Sequence, residues 1–224
     1  AAEVASRLAL RVLLADEVGL GKTIEAGLIL HRLHLTSRAS RILVLLPPAL
    51  LNQWFVEMFR RFQMSFSIFD EDRCLSLEAS GVNPFLDSQL VICALDFLSS
   101  NPNRAEQARE AGWDLLVVDE AHHLAWSPAG GGAEYNLVES LARSVPGLLL
   151  LTATPQQLGL EGHFARLRLL DPERYNDLES FLHESDRYES VAKAIDALMA
   201  GKKISSVSLL QGAVRKHYDE FLAG

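Results

Sequence analysis

Asp16-Glu17-Val18-Gly19-Leu20-Gly21-Lys22-Thr23 ends in Gly-x-Gly-Lys-Thr, residue types that can wrap a phosphate chain. Gly19 and Gly21 would let main-chain N–H groups close around phosphate oxygens with no Cβ in the way. A helix beginning near Lys22 would bring the partial positive charge of its N-terminus to the same point. In that arrangement Lys22 reaches the β- and γ-phosphates, and the Thr23 hydroxyl ligates Mg2+. The general phosphate-loop pattern has glycine six residues before the lysine, where this chain has Asp16. Taken alone, the stretch also fits a glycine-rich turn from strand to helix.

Asp119-Glu120-Ala121-His122 supplies two adjacent carboxylates directly after the apolar run Leu115–Val118. Open α/β sheets bind ligands at the carboxyl ends of their strands. There Asp119 would hold Mg2+, and Glu120 would orient and deprotonate an attacking water. On its own the acidic pair is better explained as the cap of a following helix, and only its coexistence with the phosphate loop reverses that preference. Thr152-Ala153-Thr154 ends a third apolar run. Its hydroxyls can hydrogen-bond the acidic pair and sense a γ-phosphate. The plain alternative is a threonine-rich helix cap followed by Pro155.

The elements that must position these groups alternate along the chain. Leu10–Ala15, Ile42–Leu46, Leu90–Ala94, Leu115–Val118 and Leu148–Leu151 are short, solidly apolar runs, the pattern of strands buried on both faces, and Ser65–Phe69 is a weaker one. Helical spacing is expected over Thr23–His34, Leu50–Phe62, Asn103–Ala111 and Tyr135–Leu141. Gly130–Gly132 reads as a flexible loop tip. Beyond Gln156 the pattern is helical, with breaks expected at Gly159, Gly162 and Pro172. The alternation predicts an α/β fold with a mostly parallel sheet and helices on both faces. Residues 1–175 form the expected main domain, and 176–224 a helical extension or subdomain.

Composition narrows the class. The 224 residues are 49% hydrophobic and 22% charged, which excludes wholesale disorder. Ile42–Leu51, the longest apolar run, is interrupted by Pro47 and Pro48 and is too short to span a bilayer. Two cysteines cannot build a disulfide framework, which suggests a reducing cytosol. The net charge of −8 argues against a small autonomous nucleic-acid binder. Residues 1–70 carry 8 Lys/Arg against 6 Asp/Glu, and residues 71–200 carry 9 against 21, so a phosphate-facing surface belongs to the first third. The chain starts with Ala1 and runs into Gly224 without a stop signal, so a longer parent is expected.

Other residues invite functional readings. Trp54 and Trp126 could stack on bases, although aromatics at helical spacing are more often core. His31 and His34 stand three apart but have no further ligand at zinc spacing. His123 is expected to pack beside His122.

The stretch Ala15–Thr23 resembles motif I of the Snf2-type superfamily 2 ATPases, in which Asp-Glu precedes Gly-x-Gly-Lys-Thr, and this accounts for Asp16. Asp119-Glu120-Ala121-His122 is similar to their motif II, the DEAH box, and Thr152-Ala153-Thr154 to motif III. The likeness extends through Ile24–Gly27, Gln53-Trp54, Leu90–Phe97, His122–Leu124 and His163–Pro172, and weakens in the tail. It implies a RecA-like P-loop lobe that binds ATP with Mg2+, in an ATP-driven translocase on double-stranded DNA. Its nearest branch works with RNA polymerase in the bacterial cytoplasm, at the nucleoid, and helps recycle the polymerase. It also implies backbone contacts with DNA near Arg60 and Arg61, where a solvated helix end is an equal explanation. Such enzymes use two lobes, the second bringing an arginine finger worth ~10³–10⁵ in rate. No second lobe and no upstream glutamine motif is visible in the sequence, so this stretch alone is expected to bind nucleotide weakly and turn over negligibly. A DEAH-type RNA helicase lobe and a nucleotide-switched interaction module are the alternatives.

Overall fold

Apolar runs too short for helices become central strands when both faces of a sheet are covered, because no position along them needs to face water. The computed structural model describes residues 10–15, 21–78, 81–153 and 159–199. The strands are β1 (Arg11–Ala15), β2 (Ile42–Leu46), β3 (Ser67–Phe69), β4 (Leu90–Ala94), β5 (Leu115–Val118), β6 (Trp126–Ser127), β7 (Gly130–Gly131) and β8 (Gly147–Thr152). Six of them form one parallel sheet in the order β1-β8-β5-β2-β4-β3, while β6 and β7 make a small antiparallel pair.

The helices are α1 (Lys22–Leu35), α2 (Leu51–Phe62), α3 (Glu71–Glu78), α4 (Leu95–Ser100), α5 (Pro102–Glu110), α6 (Ala133–Ser144), α7 (Gly159–Leu170) and α8 (Leu178–Met199). Alternate residues of each strand point to opposite faces, and two separate cores result. Ile42, Val44, Val117, Leu149 and Leu151 pack with Ile29, Leu30 and Leu33 of α1 and Trp54, Met58 and Phe62 of α2. Leu43, Leu45, Leu116, Val118, Leu148 and Leu150 pack with residues of α3 to α7, among them Cys74, Leu98, Ala108, Val138 and Ala165. The expected α/β architecture, parallel with helices on both faces, is the observed one.

Two local expectations are corrected. Gly162 does not break the last helix of this unit, because α7 runs through it from Gly159 to Leu170. A mid-helix glycine costs about 1 kcal/mol, and burial of Phe164, Ala165 and Leu169 on the same helix outweighs it. Gly130 and Gly131 are not an open loop tip but the second strand of the β6–β7 pair. A Cβ at Gly131 would lie 2.5 Å from the Tyr135 ring, so glycine is what allows that pair to sit on α6.

The chain divides into two units between Asn176 and Asp177. Of the second, α8 is described. Its first turn is capped by Asp177, whose Oδ2 accepts from the Ser180 N–H at 2.8 Å. No helix among the described residues is long and apolar enough to cross a membrane.

Candidate active site

The chain leaves β1, β8 and β5 at the same carboxyl edge of the sheet, and these three strands are neighbours. Ala15 is in register with Thr152, and Val118 with Leu150. Ala15, the Thr152 strand end and Asp119 therefore lie at neighbouring strand ends. Asp16, Glu17, Val18, Gly19, Leu20 and Thr154 lie outside the described residues.

Gly21 adopts φ 84°, a left-handed conformation that suits glycine, and turns the chain into α1. Its carbonyl accepts from the N–H groups of Ile24 and Glu25 at 2.8 and 2.9 Å, which starts the helix with Lys22 and Thr23 in its first turn. No side chain caps this N-terminus. The favourable dipole of a helix N-terminus at such a position suits an anion.

Asp119 is 5% exposed. Its N–H continues the β2–β5 ladder by donating to Leu45 O at 2.9 Å. Its Oδ1 accepts from the Glu120 N–H at 2.8 Å, and its Oδ2 from the Trp54 indole N–H at 2.7 Å. Burial pushes this carboxyl above the ordinary aspartate range; the two hydrogen bonds and the Lys22 ammonium pull it back, and the Glu120 charge adds to the rise. The Lys22 ammonium is thus among the charges that bear on Asp119.

Glu120 has φ 50°, left-handed and unusual for a residue with a side chain. Its Oε2 lies 2.9 Å from His122 Nδ1 without the alignment of a hydrogen bond, and neither atom has another partner among the described residues. Burial, more than the neighbouring His123 or Arg166, holds His122 below the usual histidine range, so its ring is neutral at pH 7. The His122 and His123 rings lie 4.0 Å apart, centroid to centroid. Thr152 is 1% exposed, and its hydroxyl has no hydrogen-bond partner among the described residues.

Orphaned polar atoms are rare inside proteins and call for an explanation. Among the described residues Thr152 Oγ1 has no partner and Glu120 Oε2 meets only a misaligned His122 Nδ1, both at the carboxyl edge of the sheet, and a triphosphate with its water would satisfy them. Magnesium in such sites takes only one or two protein ligands and draws the rest from phosphate and water. Thr23 and Asp119 fit that requirement in type and number.

The other candidates fall elsewhere. Trp54 is 1% exposed and presents no stacking face, while Trp126 is half-buried and packs on Phe164 at 5.3 Å. Arg60 and Arg61 are exposed in the last turn of α2, with Arg61 paired to Glu57. His34 Nδ1 contacts Ala39 O at 3.3 Å, and His31 faces Phe62. Two residues that touch the site had no sequence reading of that role: Trp54, which holds Asp119, and Arg166, which grips the chain after Glu120. The only signal available was their place in the family-like stretches Gln53-Trp54 and His163–Pro172.

Residues 4–213 match the SNF2-related domain family. The chain is 59% identical over 203 residues to the RNA polymerase-associated protein RapA of Vibrio cholerae serotype O1 (strain M66-2), covering 91% of this chain and 21% of that protein. It is 58% identical over 202 residues to the protein of the same name from Photobacterium profundum, covering 90% and 21%. The chain spans about a fifth of the length of these curated relatives. Its fold matches the Sulfolobus solfataricus SWI2/SNF2 ATPase core in complex with dsDNA, with a TM-score of 0.61 and 23% identity over 76% of this chain and 33% of that one. It also matches the Pyrococcus furiosus Hef helicase domain, with a TM-score of 0.53 and 20% identity over 70% and 32%. At such identities the two structures speak for the fold alone.

Proposed function

The chain belongs to the SNF2-related domain family, and on that premise we propose that residues 1–175 are the ATP-binding lobe of an ATP-driven translocase on double-stranded DNA that works with bacterial RNA polymerase. On the same reading residues 176–224 belong to a helical extension or subdomain. The reading is carried by one observation: Asp119 and Thr152 stand at the carboxyl ends of the adjacent parallel strands β5 and β8, beside the end of β1 that leads in sequence to Lys22. The polymerase partnership is supported by the name of the RapA relatives, and duplex DNA by the bound state of the Sulfolobus core. The bacterial cytoplasm, at the nucleoid, is the compartment that goes with such a partner.

In this mechanism residues 16–23 wrap the triphosphate. Lys22 neutralises the β- and γ-phosphates, and the side chains of Thr23 and Asp119 hold Mg2+. When bound, the metal polarises the phosphate oxygens as a Lewis acid. Glu120 orients the attacking water and takes its proton on a carboxylate oxygen. Ala121 and His122 complete the DEAH box, with neutral His122 beside Glu120. The Thr152 and Thr154 hydroxyls, on either side of Ala153, report the state of the γ-phosphate to the chain beyond β8. An arginine finger from a second lobe completes the site, which is why the lobe alone should turn over slowly.

Glu120→Gln in the intact protein is the test. It should lower ATP turnover by roughly 10²–10⁴-fold while ATP binding persists. Turnover at the wild-type rate would remove Glu120 as the base. Duplex DNA should stimulate hydrolysis more than RNA does; the reverse would favour an RNA helicase.

A further inference from the structure

Arg166 lies in the middle of α7, 4% exposed, and no carboxylate among the described residues pairs with its guanidinium. Every one of its hydrogen bonds goes to main-chain oxygen. Nε donates to Ala121 O at 3.0 Å, Nη2 to His122 O and Leu124 O at 2.9 Å each, and Nη1 to Gly162 O one turn back on its own helix. Three of the four acceptors belong to the single 3-10 turn Ala121–His123 and its exit, the segment that begins at Glu120.

A buried cation usually requires an anion, because desolvating a charge is costly. Here the carbonyl ends of a helical turn take the anion's place, which puts the full demand of the guanidinium on one short stretch of backbone. That stretch needs an external hold. Glu120 enters it in a left-handed conformation, which costs free energy for any residue with a Cβ. Among the described residues its Oε2 meets His122 alone, and out of alignment. The base from which Arg166 reaches is itself fixed. The Tyr135 hydroxyl donates to Ala165 O at 3.1 Å, and Phe164 packs on Trp126.

We propose that Arg166 is a positioning residue for hydrolysis, holding the main chain after Glu120 in the arrangement that aims this carboxylate, and doing so from the helix that follows the Thr152 strand end. The proposal rests on Glu120 being the water-activating group. It gives α7 a role beyond packing: a shift of that helix is transmitted to Glu120 through three carbonyls. Lysine cannot substitute, since a point ammonium lacks the planar fork that spans all three acceptors.

Arg11 provides an internal control. It makes the same kind of clamp at the opposite end of β1, donating to Leu169 O and Leu170 O at 2.8 Å and to Ala142 O and Val145 O at 3.1 and 3.2 Å. Its acceptors are the last turns of α6 and α7, away from Glu120.

The experiment compares Arg166→Lys, Arg166→Met, Arg11→Met and Glu120→Gln in the intact protein with saturating duplex DNA. It reads kcat, the KM for ATP and the thermal midpoint. Both Arg166 variants should lose kcat by roughly 10²-fold, the scale of a small misplacement of a reacting group, with KM near the wild-type value. Arg11→Met should lower the midpoint and, because it frees only the far end of α7, lower kcat clearly less than either Arg166 variant does. Arg166→Lys, which keeps the buried charge, decides the matter where Arg166→Met does not fold. Wild-type kcat in a folded Arg166→Lys protein would overturn the proposal, as would an equal kcat loss in Arg11→Met. Unchanged turnover in Glu120→Gln would instead overturn the assignment of Glu120 on which the proposal stands.

Discussion

The Trp54 indole N–H donates across 2.7 Å to Oδ2 of Asp119, so a helix on one face of the sheet fixes the carboxylate at the end of β5. The donor is fully buried, and its ring belongs to the core beneath α2. One side chain therefore serves packing and the proposed metal ligand at once.

Trp54→Phe separates the two roles, since it keeps most of the buried ring and removes the N–H. Asp119 Oδ2 then loses a donor in a place that water does not easily reach. The loss should cost about 1–3 kcal/mol of stability, as for a buried acceptor left unpaired. The Mg2+ concentration that half-saturates ATP hydrolysis should also rise. A metal titration of the intact protein checks this, and an unchanged requirement would leave Trp54 a core residue only.

What could be read in the sequence divides along physical lines. The central strands were legible because burial on both faces leaves an unmistakable apolar run, and Lys22, Asp119 and Thr152 because each follows or ends such a run. Glu71–Glu78 was not, since only Cys74 of this polar segment is buried and one residue makes no stripe. Leu95–Ser100 follows β4 without an intervening residue, so no turn signal announces it. Trp54 and Arg166 escaped for another reason. Their site contacts span 65 and about 45 positions of sequence, and a guanidinium bonded to carbonyls depends on no particular partner side chain.

Gly27 shows how tightly α1 meets α2. A Cβ there would lie 2.1 Å from the ring of Phe62. Gly27→Ala should cost about 1–3 kcal/mol, the usual penalty of overpacking. Because the clash is with one ring, Phe62→Leu should recover part of the loss, and the double-mutant cycle should be clearly non-additive. Additive losses in denaturant unfolding would mean that the helices separate as a whole.

Acid sensitivity is expected from the cluster around Arg104. Its Nη2 and Nε meet both oxygens of Glu71 at 2.7 and 3.2 Å, and its Nη1 meets Glu78 at 2.9 Å. The Arg104 hydrogen bond holds Glu71 below the ordinary glutamate range, while Glu78 is lowered first by Gln107 and then by Arg104. The unfolded chain, with ordinary glutamates near about 4.3, therefore takes up these protons before the folded protein does. Stability from the cluster is complete above that range and lost as pH falls through the lowered folded values. Arg104→Gln should thus lower the thermal midpoint at pH 7 and lose that effect near pH 3. A gap between the two proteins that is independent of pH would show that Arg104 acts by packing alone.

Thr152 should oppose stability and turnover to one another. Its hydroxyl is buried and, among the described residues, unpaired at the end of β8, in register with Ala15 at the end of β1. A buried hydroxyl without a partner has lost water and gained nothing, a penalty of about 1–3 kcal/mol. Such a cost persists at sites where the group has work to do once a ligand arrives. Thr152→Val keeps the β-branched shape and deletes the oxygen. It should raise the thermal midpoint of the nucleotide-free protein while lowering kcat for ATP. If the hydroxyl instead serves only the fold, the variant will melt earlier and hydrolyse ATP at the wild-type rate. Thermal unfolding and turnover measured on the same preparation distinguish the two, because the midpoint moves in opposite directions and only one reading lowers kcat.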